Sequence, residues 1–268
     1  METNLFSPTV LLAFGLTLFA GLSTGIGAAI AFFARRTNYR MLAFSLAFSA
    51  GVMLFVSFAE ILVKGQANLS EVYGEKMGAF WAYTAFFAGL GAIMIIDRFV
   101  PKVENPHEMP TQMVAETFEA QKTQTEAEIR ASSAARLLRM GKFAAIAIAI
   151  HNFPEGLVSF FTALEDPKLG VAIAVAIALH NIPEGVSVAI PIFYATGSKV
   201  KAFFYSLLSG VAEPVGALLG FLLLRAYFGP TLSGVLFAFV AGIMVFISLD
   251  ELLPAAREHA KGHETVYG

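Results

Sequence analysis

The chain has 268 residues, 57% hydrophobic and 14% charged, with a mean hydropathy of +0.69 and a formal net charge of −2. That is too little polar surface for a water-soluble domain of this length, and it implies an integral membrane protein. The absence of Cys excludes disulfides and thiolate metal ligands.

A bilayer span needs about 20 predominantly apolar residues. Seven such runs occur, at residues 9–34, 40–63, 78–100, 143–164, 169–194, 202–224 and 230–253. No Lys or Arg precedes the first run and it is too long for the core of a signal peptide, so it reads as a span. Its Gly21, Gly25 and Ala28 suit close helix packing. Of the 18 Lys and Arg, fourteen flank one side: Arg35, Arg36, Arg40, Arg98, Lys102, Lys122, Arg130, Arg136, Arg139, Lys142, Lys199, Lys201, Arg257 and Lys261. Lys64, Lys76, Lys168 and Arg225 flank the other. Basic residues accumulate in cytoplasmic loops, so the expected topology has the N-terminus outside and, with seven spans, the tail inside.

The second run contains Ala50, Gly51, Met53, Phe55, Ser57, Glu60 and Leu62. The seventh repeats all seven residue types 191 positions later, at Ala241, Gly242, Met244, Phe246, Ser248, Glu251 and Leu253. The two spans run in opposite senses, which makes this an inverted repeat of the kind that places substrate sites at the repeat interface of secondary transporters. The same offset puts a counterpart of the third run at about 269–291, past the last residue. Glu60, Asp250 and Glu251 lie near the ends of their apolar runs, where they face water or headgroups or serve as a gate. Asp97 beside Arg98 reads as an interfacial ion pair.

The polar segment 102–142 reads as a cytoplasmic, solvated linker between the third and fourth spans, with an amphipathic stretch near 114–140. Its single His107 gives little support for metal collection. Alternating alanines at Ala145–Ala149 and Ala172–Ala178 have a local period of 2, but runs this long favour helices over barrel strands.

The chemistry lies in two matching stretches, His151-Asn152-Phe153-Pro154-Glu155-Gly156 and His180-Asn181-Ile182-Pro183-Glu184-Gly185. Each follows a long apolar run. An acidic side chain at mid-membrane costs roughly 2.5–3.5 kcal/mol, so such residues point to function, with partners nearby. On a helix, His and Glu four residues apart share a face, and Asn borders it. Pro154 and Pro183 cannot bond to the carbonyls of Ile150 and Leu179, which predicts kinks there. Gly156 and Gly185 admit a neighbouring backbone. The sixth run adds Glu213 before Pro214, a third carboxylate with its own kink. Two imidazoles with carboxylates and carboxamides suit Zn²⁺, Fe²⁺, Mn²⁺ or Co²⁺ better than Cu⁺. Facing carboxylates repel, so an ion-free site holds protons that metal must displace, and uptake is expected to fall at acid pH.

Two other functions leave no signature. A membrane metalloenzyme, either a protease or a di-iron oxidase, would carry H-E-x-x-H or E-x-x-H, whereas the order here is His-x-x-x-Glu. No phosphate-binding loop is present, since Thr196-Gly197-Ser198-Lys199 lacks its spacing, so ATP hydrolysis is not expected. A metal-selective channel is the remaining alternative.

The doubled His-Asn-x-Pro-Glu-Gly stretch, the Gly210-Val211-Ala212-Glu213-Pro214 stretch and the repeat pair Ser49–Leu62 and Val240–Pro254 resemble the ZIP family of divalent-metal transporters, over nearly the whole chain. The resemblance implies an all-α, 3+2+3 helical bundle that moves metal toward the cytoplasm across the inner membrane, with two ions between the fourth, fifth and sixth spans. It assigns His151, Glu155, His180 and Glu184 to one ion, and Asn152, Asn181 and Glu213, sharing Glu155 and Glu184, to the other. Ser57, Glu60, Asp250 and Glu251 match the family's entrance and exit regions. The cargo so implied is Zn²⁺, or Fe²⁺, Mn²⁺, Co²⁺ or Cd²⁺, with no organic cofactor, no enzymatic activity and no nucleic-acid partner. The lipid bilayer is the surrounding partner, and a homodimer is compatible with such a chain. The family has eight helices, where seven runs are present here.

Overall fold

A computed structural model describes residues 6–33, 39–99, 126–227, 229–260 and 262–268. His107, most of the predicted linker and the side chain of Asp97 lie outside these residues. Among the described residues all regular structure is helical, and seven helical segments are long and apolar enough to cross a membrane. The first span is α1 (Pro8–Phe33). The second is α2 (Tyr39–Val56) continued through a π-helical turn, Ser57–Ile61, into α3 (Leu62–Tyr73). The third is α4 (Glu75–Phe99), the fourth α5 (Glu126–Glu165) and the fifth α6 (Pro167–Thr196). The sixth is divided into α7 (Lys199–Gly210) and α8 (Ala212–Leu224). The seventh is α9 (Pro230–Ile247), a second π-helical turn, Ser248–Leu252, and α10 (Leu253–His259), after which α11 (Glu264–Tyr267) closes the chain.

Local signals explain the connections. Asp166 caps α6, its carboxylate accepting from the amides of Lys168 and Leu169, and Pro167 occupies the first turn, where no amide is needed. Gly197, at φ 65°, ends the helix in the left-handed conformation, and Ser198 then caps α7.

Three sequence expectations change. The fourth helix begins at Glu126, ahead of its candidate span at Ala134, so residues 126–142 are helical in place of a linker. The second span continues to Tyr73, which puts Glu60 in its middle rather than near its end. The seventh likewise continues past Asp250 and Glu251 to Glu258. The two π-helical turns stand 191 residues apart, so the internal repeat extends to an uncommon backbone feature that recurs at functional sites.

The helices pack as two bodies. In one, α1, α5, α6, α7 and α8 surround the paired motifs. In the other, α2, α3 and α4 pack with α9 and α10. Glycines set the close approaches within each. A Cβ at Gly27 would collide with the Ile182 carbonyl, one at Gly185 with the Thr24 carbonyl, and one at Gly156 with the Glu213 carbonyl. In the second body Gly89 and Gly242 bring α4 and α9 together at Phe239 and Phe86. Among the described residues no glycine approach of this kind joins one body to the other. The contact between bodies runs through α2 on α6 and α5 on α9. Side chains add to it at the end of α5: Lys64 Nζ lies 3.4 Å from Glu165 Oε2, and Asn68 Nδ2 donates to the same carboxylate at 3.3 Å and to Ser233 Oγ at 2.8 Å.

Candidate metal centre

Helical periodicity turns the His, Asn and Glu of each motif toward one region, and the packing of α5 against α6 brings the two sets face to face. All of His151, Asn152, Glu155, His180, Asn181, Glu184 and Glu213 are buried. His151 Nε2 and Glu184 Oε1 are hydrogen-bonded at 2.7 Å. His180 Nε2 lies 3.0 Å from the same oxygen, outside hydrogen-bonding alignment, and 3.7 Å from Glu155 Oε1. Glu184 thus sits between two imidazoles whose ring centres are 6.3 Å apart. Ligand atoms of His151, His180 and Glu184 all fall within 4.8 Å of one another, close enough to hold one ion.

Glu213 reaches the cluster because the sixth span is interrupted. Helix α7 ends at Gly210, and α8 restarts with Glu213 in its first turn, beside Pro214. Gly156 and Gly216 let α8 lie directly on α5, at the Glu213 and Phe153 carbonyls. Helices α5 and α6 themselves continue through Pro154 and Pro183. Asn181 Nδ2 donates to Glu213 Oε1 and to the Ala20 carbonyl, and Asn152 Nδ2 donates to the Ser209 carbonyl. With their nitrogens engaged, both carboxamides leave Oδ1 as an acceptor.

The donor set is unsatisfied in a consistent way. Asn152 Oδ1, both Glu155 oxygens, His180 Nε2, Asn181 Oδ1, Glu184 Oε2 and Glu213 Oε2 are buried without a hydrogen-bond partner among the described residues. Leaving a buried polar group unpaired costs roughly 1–3 kcal/mol. Seven acceptor atoms in one place, with no buried Lys or Arg among them, form a cavity chemistry suited to a hard or borderline cation.

The expected gate residues are less closely joined. Glu251, in the second π-helical turn, interacts electrostatically with His151. Ser57, Glu60 and Asp250 make no hydrogen bond or ion pair with the seven cluster residues. Ser57 is buried, Glu60 partly exposed and Asp250 exposed. One contact had no signal in the sequence. Ser49 Oγ on α2 lies 2.7 Å from His180 Nδ1, across 131 positions of chain and from the other body.

Comparison with known proteins agrees with this chemistry. The family described as ZIP Zinc transporter matches residues 7–267. The chain is 56% identical over 259 residues to a protein named Zinc transporter ZupT from Nitratidesulfovibrio vulgaris, covering 97% of this chain and 92% of that one. It is 53% identical to the ZupT of Chlorobaculum parvum, covering 98% and 94%. The ZupT of Clostridium perfringens is 52% identical, with 97% and 91% covered. With a match of that extent joined to a buried cluster of nitrogen and oxygen donors in a seven-span helical bundle, the chain belongs to the ZIP zinc transporter family.

Proposed function

We propose that this chain carries Zn²⁺ into the cytoplasm through the cluster on α5, α6 and α8, and accepts Fe²⁺, Mn²⁺, Co²⁺ or Cd²⁺ as alternative cargo. The observation that carries the reading is the set of seven unpartnered acceptor atoms at the centre of the first body. A dication gives them a common partner. Ligand chemistry admits all these ions, and zinc is favoured because the relatives are named zinc transporters.

Two ions fit the donor set. His151, Glu155, His180 and Glu184 serve one. Asn152, Asn181 and Glu213, with Glu155 and Glu184 bridging, serve the other. Binding consumes neutral imidazole and ionised carboxylate, so it releases protons.

Transport follows from movement of one body against the other, exposing the cluster to each side in turn. Two features support it: backbone-level glycine contacts lie within each body, and the contact between bodies is made by side chains. Glu251, and with it Ser57, Glu60 and Asp250 on the two π-helical turns, would line the route into or out of the cluster. The basic-residue asymmetry supports an inner-membrane orientation with the N-terminus outside and the tail inside.

Radioactive zinc uptake into proteoliposomes tests the reading, with each of the other four ions as competitor. Saturable uptake that these ions reduce is expected. Metal-dependent peptide cleavage without uptake would replace the transporter by an enzyme, and unsaturable flux would replace it by a channel.

A further inference from the structure

We propose that Ser49 is a positioning residue for metal transfer, holding the His180 ring from the opposite body so that Nε2 faces the ion. This rests on the reading of His180 as a ligand.

Both residues are buried, each about 1% exposed. Ser49 Oγ lies 2.7 Å from Nδ1, while Nε2, on the other edge of the ring, faces Glu184 Oε1 at 3.0 Å and Glu155 Oε1 at 3.7 Å. A neutral imidazole carries one N–H. When Nδ1–H donates to Ser49 Oγ, the Nε2 lone pair points among the carboxylates and can take a metal. With the proton on Nε2, the ring presents an N–H there and cannot be a ligand. The hydroxyl thus fixes the rotation of the ring and can accept from Nδ1–H in the tautomer that leaves Nε2 free for the ion.

Packing does not explain the hydroxyl. The repeat offset of 191 places Val240 at the equivalent position, also buried and fully apolar. Among other buried hydroxyls, Thr17, Ser23, Ser209 and Ser248 turn back onto carbonyls of their own helices at Ala13, Ala20, Ser206 and Met244, and Ser206 donates to the Thr24 and Gly185 carbonyls within its own body. Ser49 instead reaches a side chain on a helix of the other body. Because the bond crosses that contact, relative movement of the bodies breaks it, releasing His180 from its ligand orientation as the site changes sides.

The test compares Ser49→Ala, Ser49→Val and Ser49→Thr in proteoliposomes, with radioactive zinc binding measured on the same purified proteins. Alanine removes the hydroxyl and adds no atom, and valine is the residue of the equivalent repeat position. Removing a second-layer partner of a ligating His typically costs 10–100-fold, so zinc KM and Kd should rise about tenfold or more in both variants. Vmax should stay within about twofold, and Ser49→Thr, which keeps the hydroxyl, should restore KM to within about threefold. Unchanged KM and Kd in Ser49→Ala, or a threonine variant as impaired as alanine, would overturn the proposal. Zinc binding that survives His180→Ala undiminished would overturn the site itself, and the positioning role with it.

Discussion

Replacing Glu184 by Gln removes one negative charge from the middle of the cluster with almost no change of shape. In the native chain Oε1 is 2.7 Å from His151 Nε2 and 3.0 Å from His180 Nε2, and Oε2 is buried and unpartnered. The amide keeps one weak acceptor and turns an N–H₂ toward the position a cation would take. A charge-assisted interaction is worth about 1.5–3 kcal/mol, and each 1.4 kcal/mol is about a tenfold change in affinity. Losing one such interaction should therefore weaken zinc binding about 10–100-fold. Equilibrium dialysis of radioactive zinc against detergent-purified protein reads this directly, with Glu71→Gln, an exposed carboxylate on α3, as the control. Affinity in Glu184→Gln within about threefold of the native chain would refute the assignment of this carboxylate to the ion.

Four further outcomes are expected. Glu213→Gln should reduce bound zinc from two ions to one while leaving the site of His151, Glu155, His180 and Glu184 occupied, and an unchanged stoichiometry would count against the shared two-ion arrangement. At lower pH protons compete with the ion for the imidazoles and carboxylates of the cluster. Initial zinc uptake should therefore fall as the pH is lowered, and zinc binding in weak buffer should release protons measurable with an indicator dye. Gly185→Ala would push a methyl into the Thr24 carbonyl, whereas Gly15 has open space around its Cβ position. The first should lower thermal stability by about 1–3 kcal/mol and Gly15→Ala should be neutral or stabilising by up to about 1 kcal/mol, as followed by thermal unfolding in detergent. The Lys64–Glu165 pair is partly exposed, so Lys64→Met and Glu165→Gln should show a coupling of no more than about 1 kcal/mol in a double-mutant cycle, and a much larger coupling would make it a principal clamp between the bodies.

Much of the site is written locally. His and Glu four apart, twice, need only helical geometry to share a face, and the duplication says that the faces meet. Pro214 marks the break in the sixth span, and Gly156 and Gly185 mark where α8 and α1 come close. The span limits were harder to read, because polar residues can continue a transmembrane helix when their partners lie on other helices. Lys64 and Asn68 extend the second span because Glu165 and Ser233 meet them. The fourth helix extends back to Glu126 through a charged stretch that hydropathy alone assigns to a linker. With the second span so extended, Glu60 lies in a π-helical turn at mid-span rather than near a span end. Ser49 could not be found from sequence, since its partner is 131 positions away and its repeat equivalent is a valine.

The measurement that bears most directly on the central claim is radioactive zinc uptake into proteoliposomes by the native chain and by His151→Ala/His180→Ala. Saturable uptake by the native chain, lost in the double variant while the purified variant remains monodisperse, is the result expected if both imidazoles hold the ion in transit. Uptake in the double variant equal to that of the native chain would contradict it and place the path of the metal elsewhere in the bundle.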